Sequence, residues 1–181
     1  MKKILLAFFL SLTAIGLNFS QNSESIKSTI NAGMEFINEN KLDLALNTFE
    51  KAIEMDSTGL NGIAHNEIGY VYLKKLDSAN ALSWFNKSIE INPKNPKPRQ
   101  NKALTYLTFN DLDNAIKTLD KFVNEIPNWP TAYFQRGNIY EHLGRDEEAF
   151  RDYKTALYYN QELNVLPKEI VEKIEDFKIK N

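Results

Sequence analysis

Apolar residues along most of this chain recur at intervals of three and four positions, which is the spacing of one face of an α-helix. Ile68, Val71 and Tyr72 form one such set. Polar breaks separate the periodic stretches at Asn40-Lys41, Leu76-Asp77, Asn110-Asp111 and Gly144-Arg145. Asn and Gly tolerate the left-handed backbone that ends a helix, and acidic residues favour the start of the next one. The pattern predicts helix pairs joined by tight turns, and Leu76 predicts that the second turn closes differently.

The helix pairs share an internal repeat. A small residue lies in the first helix of each unit, with spacings of 36, 34 and 34 positions, at Gly33, Gly69, Ala103 and Gly137. A large side chain follows sixteen positions later, at Phe49, Phe85, Leu119 and Tyr153. Because small residues let helices approach closely while large ones fill the remaining space, the recurrence predicts four stacked helix pairs.

This arrangement resembles the tetratricopeptide repeat, a helix pair of about 34 residues. The motifs that carry the resemblance lie at 68–72, 101–106 and 136–140. The resemblance covers residues 26–163, divided into units 26–59, 62–95, 96–129 and 130–163. It implies an all-α fold, a right-handed superhelical solenoid of antiparallel helix pairs.

The first twenty residues differ in character from the repeats. A positively charged start precedes an apolar run over residues 4–19, which is shorter than the ~20 residues that a membrane-spanning helix needs. This pattern is typical of a secretory signal peptide. We expect cleavage after Ser20, with Gly16 as the alternative, then a short linker at 21–25. The mature chain would be exported, periplasmic or extracellular, without a stable membrane anchor; retention of the segment as an anchor is the alternative.

Residues 164–181 form a separate C-terminal segment. Ile170, Ile174 and Phe177 lie four and three positions apart, and charged residues, Lys173 among them, lie between them. This predicts an amphipathic helix whose charged outer face is solvated while its apolar face covers the last repeat, as the ends of solenoids require. A helix that recruits a partner is the alternative interpretation.

Composition narrows the chemistry that the chain can perform. Its 181 residues include 22 Lys and Arg against 24 Asp and Glu, so the net charge of −2 offers no basic field for nucleic acid. There is no Cys, and His65 and His142 lie two units apart. Glycines are scattered singly rather than grouped in phosphate-binding loops. We therefore expect no catalytic, metal or cofactor-binding residues and no enzyme activity. Lys far outnumbers Arg, which favours a bacterial source.

The resemblance also implies where a ligand would bind. In this family, ligands usually lie on the concave surface lined by the first helix of each pair, and they are proteins or peptides. Carried onto this sequence, the groove comprises Ile30, Met34, Asn66, Tyr70, Leu73, Lys74, Gln100, Asn101, Leu104, Leu107, Phe134, Asn138, Glu141 and His142. Amide side chains there can bond a peptide backbone while apolar ones bury its side chains. We expect an interaction scaffold. The alternatives are an architectural subunit of an envelope or secretion assembly, held by its convex face or ends, and an enzyme with an unrecognised site.

One subclass of the family grips the carboxylate end of heat-shock chaperones with two Lys, two Asn and one Arg. The corresponding slots here read Ile30, Met34, Glu67, Lys97 and Asn101. One unit further along, they read Asn66, Tyr70, Asn101, Thr131 and Gln135. Only Asn101 matches in the second register, and no basic cluster faces a carboxylate. We therefore expect this chain not to be a clamp of that type.

Overall fold

The computed structural model describes residues 23–56 and 62–180, and within these ranges the chain forms nine helices and no strand. They are α1 (23–38), α2 (Leu42–Met55), α3 (Ile63–Lys74), α4 (Ser78–Ile91), α5 (Lys97–Thr108), α6 (Leu112–Glu125), α7 (Pro130–His142), α8 (Asp146–Leu163) and α9 (Lys168–Lys180). The predicted signal peptide lies outside the described residues. The expected linker is partly wrong, because residues 23–25 are already helical.

The helices pack as antiparallel hairpins stacked in chain order. The pairs α3–α4, α5–α6 and α7–α8 make the most extensive contacts, and each helix that ends one pair also packs on the first helix of the next. The last helix, α9, packs on α8. The prediction of an all-α solenoid of helix pairs with a C-terminal capping helix is confirmed.

Close approach within each pair depends on the small residues. A Cβ atom added to Gly69 would lie 2.7 Å from the ring of Phe85, and one added to Gly137 would lie 2.7 Å from the ring of Tyr153. Gly33 has the same relation to Phe49. In the third unit the small residue is Ala103, and the residue sixteen positions later is Leu119, which is smaller than an aromatic side chain. In each repeat, the size of the small residue in the first helix therefore matches the size of the side chain sixteen positions later in the second helix. We call these two residues a matched pair.

All four turns within the pairs close in the same way. The residues in the left-handed conformation are Asn40, Leu76, Asn110 and Gly144. At the second turn, the amide of Asp77 donates to the carbonyl of Tyr72 over 2.9 Å, and the other three turns make the equivalent bond at 2.8 Å. This bond belongs to the Schellman motif that ends many helices. The expectation that the Leu76 turn closes differently is wrong, because the hydrogen bonds hold Leu76 at a φ of 59° despite its side chain.

A half-buried arginine, Arg136, ties three helices together. The Nε atom of Arg136 in α7 donates to Asp152 in α8 over 2.7 Å, and its Nη1 atom donates to Asp120 in α6 over 2.6 Å. Asp152 is buried and Asp120 is partly exposed. These bonds raise the pKa of Arg136, so the guanidinium remains charged. The ion pairs therefore join successive repeats as well as the two helices of one repeat.

Candidate binding groove

The first helices of the four pairs, α1, α3, α5 and α7, supply the predicted groove residues. Three of these residues correct the sequence-based assignment, because Ile30, Asn66 and Leu73 are buried. Ile30 belongs to the core between the first two pairs, and Leu73 packs with Phe85. Their sides of the helices face neighbouring helices rather than solvent, so they support the groove from beneath instead of lining it.

The buried Asn66 joins two adjacent repeats. Its Nδ2 atom donates to Glu67 over 2.9 Å, and its Oδ1 atom accepts from the Nδ2 of Asn101, in α5, over 3.0 Å. Burial raises the pKa of the Glu67 carboxyl, although the bond from Asn66 acts in the opposite direction. The amide of Asn66 thus holds α3 and α5 together and is not free to contact a ligand.

The open part of the groove lies on α3 and α5. Tyr70 is half-buried, with the ammonium of the exposed Lys74 5.8 Å from the centre of its ring. Leu104 is 38% exposed. Gln100 and Leu107 are half-buried, and so is Met34 on the adjacent helix α1. These side chains form a surface that is apolar at its centre and polar at its edges.

A cavity of about 220 Å³ continues this surface between α5 and α7, lined by Leu107, Leu112, Gln135, Asn138, Ile139 and His142. Most of the surface area that lines the cavity is apolar. The Oε1 atom of Gln135 is buried and makes no hydrogen bond, so a donor that reached it would satisfy an unpaired acceptor. The volume suits one apolar side chain of a bound segment.

Three of the groove residues of the fourth repeat, Phe134, Asn138 and Glu141, already contact a side chain of α9. The Nζ atom of Lys173 lies 2.6 Å from Asn138 Oδ1 and 3.0 Å from Glu141 Oε2. It also lies 5.8 Å from the centre of the Phe134 ring and 5.7 Å from that of Tyr153. Burial and the neighbouring Glu141 raise the pKa of the Tyr153 hydroxyl, which donates to that carboxylate over 2.5 Å. This end of the groove is therefore a site for an ammonium group.

Comparison with known proteins agrees with the repeat seen in the fold. Models of one family, the tetratricopeptide repeat, match residues 30–96, 84–117 and 130–163. The chain is built from tetratricopeptide repeats. It is 22% identical over 143 residues to anaphase-promoting complex subunit 3 of Schizosaccharomyces pombe, covering 79% of this chain and 21% of that protein. It is 28% identical over 86 residues to human serine/threonine-protein phosphatase 5, covering 48% and 17%. The chain thus spans about a fifth of the length of these relatives.

Solved repeat proteins share the same fold at low sequence identity. MamA superposes with a TM-score of 0.61 at 20% identity, covering 78% of this chain and 81% of its own. PilF of Pseudomonas aeruginosa gives 0.67 at 15% identity, covering 88% and 70%. YrrB, a repeat protein with an unusual peptide-binding site, gives 0.58 at 18% identity, covering 85% and 76%. At these identities the likeness establishes the fold alone.

Sequence reasoning missed the role of Lys173, which it placed on the outer face of the capping helix. Lys173 lies three residues after Ile170 and four before Phe177, at the edge of the buried face, and that spacing could have indicated a contact with the repeats. Among the helices of the described ranges, none has the length and apolar character needed to cross a bilayer. In the same residues, no three His, Asp or Glu side chains converge as they would to hold a metal ion.

Proposed function

We propose that this chain is an exported, non-catalytic scaffold that binds a protein or peptide segment along the concave face of its repeats. The observation that carries the proposal is the open surface of α3 and α5, where Tyr70 and Leu104 remain accessible beside the cavity that begins at Leu107. Apolar grooves with pockets for individual side chains are typical of peptide-binding surfaces. YrrB, which has the same fold and a peptide-binding site, supports this use of the repeats.

A peptide library displayed on phage tests the groove without knowledge of the natural partner. Peptides selected on the wild-type chain should bind a Leu104→Glu variant at least about tenfold more weakly, since a carboxylate would replace an apolar contact at the centre of the surface. Ile91→Glu is the matched control, because Ile91 is 39% exposed but lies at the end of α4. Equal binding by all three chains would refute the groove.

Export is the second part of the proposal, and the pattern of residues 1–20 supports it. Sequencing the N-terminus of the chain recovered from a periplasmic or culture-medium fraction tests it directly. We expect the recovered chain to begin at Gln21, or at Leu17 if the alternative cleavage site is used. Recovery only in the cytoplasm, with residues 1–20 intact, would exclude export.

An architectural role, held at the turns within the helix pairs rather than at the convex face or the ends, has one specific observation in its favour. Leu76, Phe109 and Leu143 lie at three successive turns within the helix pairs, and they are 67%, 43% and 45% exposed. They form an apolar edge outside the groove, which could serve as an assembly surface. A photo-cross-linking residue placed at Leu143 or at Leu104 in cells separates the candidates. Adducts from Leu143 alone would favour an architectural subunit, and adducts from Leu104 alone would favour the groove.

A further inference from the structure

We propose that the end of the groove formed by Phe134, Asn138, Glu141 and Tyr153 binds a lysine presented by an amphipathic helix of a partner protein, and that α9 fills this site in the free chain. This inference rests on the proposed groove function and names the chemistry of its ligand. The present occupant, Lys173, shows which group the site accepts, because its ammonium meets a carboxylate, an amide oxygen and two ring faces.

The fourth repeat differs from the others at the positions that form this site. The position of Asn138 is occupied by Met34, Tyr70 and Leu104 in the first three repeats, and that of Glu141 by Ile37, Leu73 and Leu107. Both positions are therefore apolar everywhere except in the fourth repeat. A capping helix needs an apolar underside and a polar outer face. Capping alone therefore does not explain why the fourth repeat has polar residues that bind a lysine.

The geometry of the site matches an ammonium group in particular. Ammonium carries three donors, and Asn138, Glu141 and the Tyr153 hydroxyl lie 2.6, 3.0 and 3.5 Å from the Nζ of Lys173. The aromatic rings add favourable contact with a cation. The Lys173 side chain is still 47% exposed, so the site opens to solvent.

The apolar residues of α9 define the rest of the ligand. Ile174 and Phe177 pack in one cluster with Tyr153, and the partly buried Ile170 and Phe134 pack against that cluster. A partner helix would therefore need a lysine followed directly by an apolar residue, as Ile174 follows Lys173. It would also need one apolar residue three positions before the lysine and another four positions after it. This spacing places all four side chains on one side of a helix.

Binding of the α9 sequence in trans to the full-length chain tests the proposal. The probe is a fluorescent peptide with the sequence of residues 166–180, followed by fluorescence anisotropy. The chain carrying Lys173→Glu should bind it at least about tenfold more tightly than the wild-type chain, because the introduced carboxylate and Glu141 repel each other and open the site. Lys168→Glu is the matched control, since Lys168 pairs with Glu172 on the exposed side of the same helix and should leave the site closed.

The peptide itself provides the decisive comparison. A peptide carrying Lys173→Gln should bind the Lys173→Glu chain about tenfold more weakly than the native peptide, since it lacks the ammonium. Equal binding of the two peptides, or no gain over the wild-type chain, would overturn the proposal and leave α9 as a cap. If Lys173→Glu unfolds the last repeat, the same comparison is made with the milder Lys173→Gln chain and judged by the same criteria. Adding Leu104→Glu should not change this binding, so failure here is distinct from failure of the groove proposal.

Discussion

Leu76 is in a backbone conformation that its side chain disfavours, and replacing it should stabilise the protein. Its φ is 59°, and the equivalent turn residues are Asn40, Asn110 and Gly144. A left-handed conformation costs an ordinary L-residue roughly 1–2 kcal/mol, and Asn adopts it more readily. Because the Leu76 side chain is 67% exposed, its removal costs little apolar burial. We therefore expect Leu76→Asn to increase the free energy of unfolding by about 1 kcal/mol.

That change is large enough to measure by standard unfolding experiments. For a chain of this size, a gain of about 1 kcal/mol raises the melting temperature by about 2–4 °C. Thermal melts and urea titrations followed by circular dichroism should show the gain. Leu76→Gly should gain less, because glycine increases the entropy of the unfolded chain and so costs about 0.5–1 kcal/mol.

Leu143 provides the matched control for this reasoning. It is 45% exposed at the corresponding edge of the fourth repeat, but its φ is −84°. Leu143→Asn should therefore leave the melting temperature unchanged or slightly lower. If Leu76→Asn and Leu143→Asn change the melting temperature equally, the effect comes from removing an exposed apolar side chain, and the argument from backbone conformation is wrong.

Two further predictions concern packing and acid stability. Leu119→Phe should destabilise the third repeat by roughly 1–3 kcal/mol through overpacking, and Ala103→Gly in the same chain should recover part of the lost stability. Urea titrations of the three chains measure both changes. If Ala103→Gly recovers nothing, the two residues do not form a matched pair. Asp77 has a lowered pKa because its carboxylate accepts hydrogen bonds from the backbone and side chain of Asn80. Its stabilisation is present above the unfolded pKa of about 3.9 and is lost as pH falls through the lower folded value. Melting temperatures of the wild type and Asp77→Asn should therefore differ at about pH 6 and converge at about pH 2; a constant difference would refute this.

The fold could be predicted from the sequence because its register depends on residues close together in the chain. Gly69 and Phe85 are sixteen positions apart, and their fit requires only that two helices joined by a short turn lie side by side. The same relation in the other repeats made the pattern recognisable. The left-handed turn at Leu76 was missed, because hydrogen bonds imposed by the helix pair override the preference of the residue.

The groove was predicted less completely, because exposure on a helix depends on what packs against it. Leu73 and Leu107 occupy equivalent positions, yet Leu73 is buried and Leu107 borders a cavity. The difference comes from the neighbouring repeats, which no local pattern describes. Lys173 was missed for a similar reason, since its partners Asn138 and Glu141 lie more than thirty residues earlier in the chain.

The sequence departs from the repeat pattern at two places, the polar residues of the fourth repeat and the leucine at position 76, and the two have different explanations. The polar residues Asn138 and Glu141 are matched by a contact within the chain, the ammonium of Lys173. The leucine at position 76 is exposed and strained, so the stability of the fold alone would favour Asn there. Sequences that specify one structure tend to break local rules at functional sites. A Leu76→Asn chain that is more stable but loses the adducts formed from Leu143 would therefore locate an assembly function at the turn edge, whereas unchanged adducts would show that Leu76 contributes nothing to that surface.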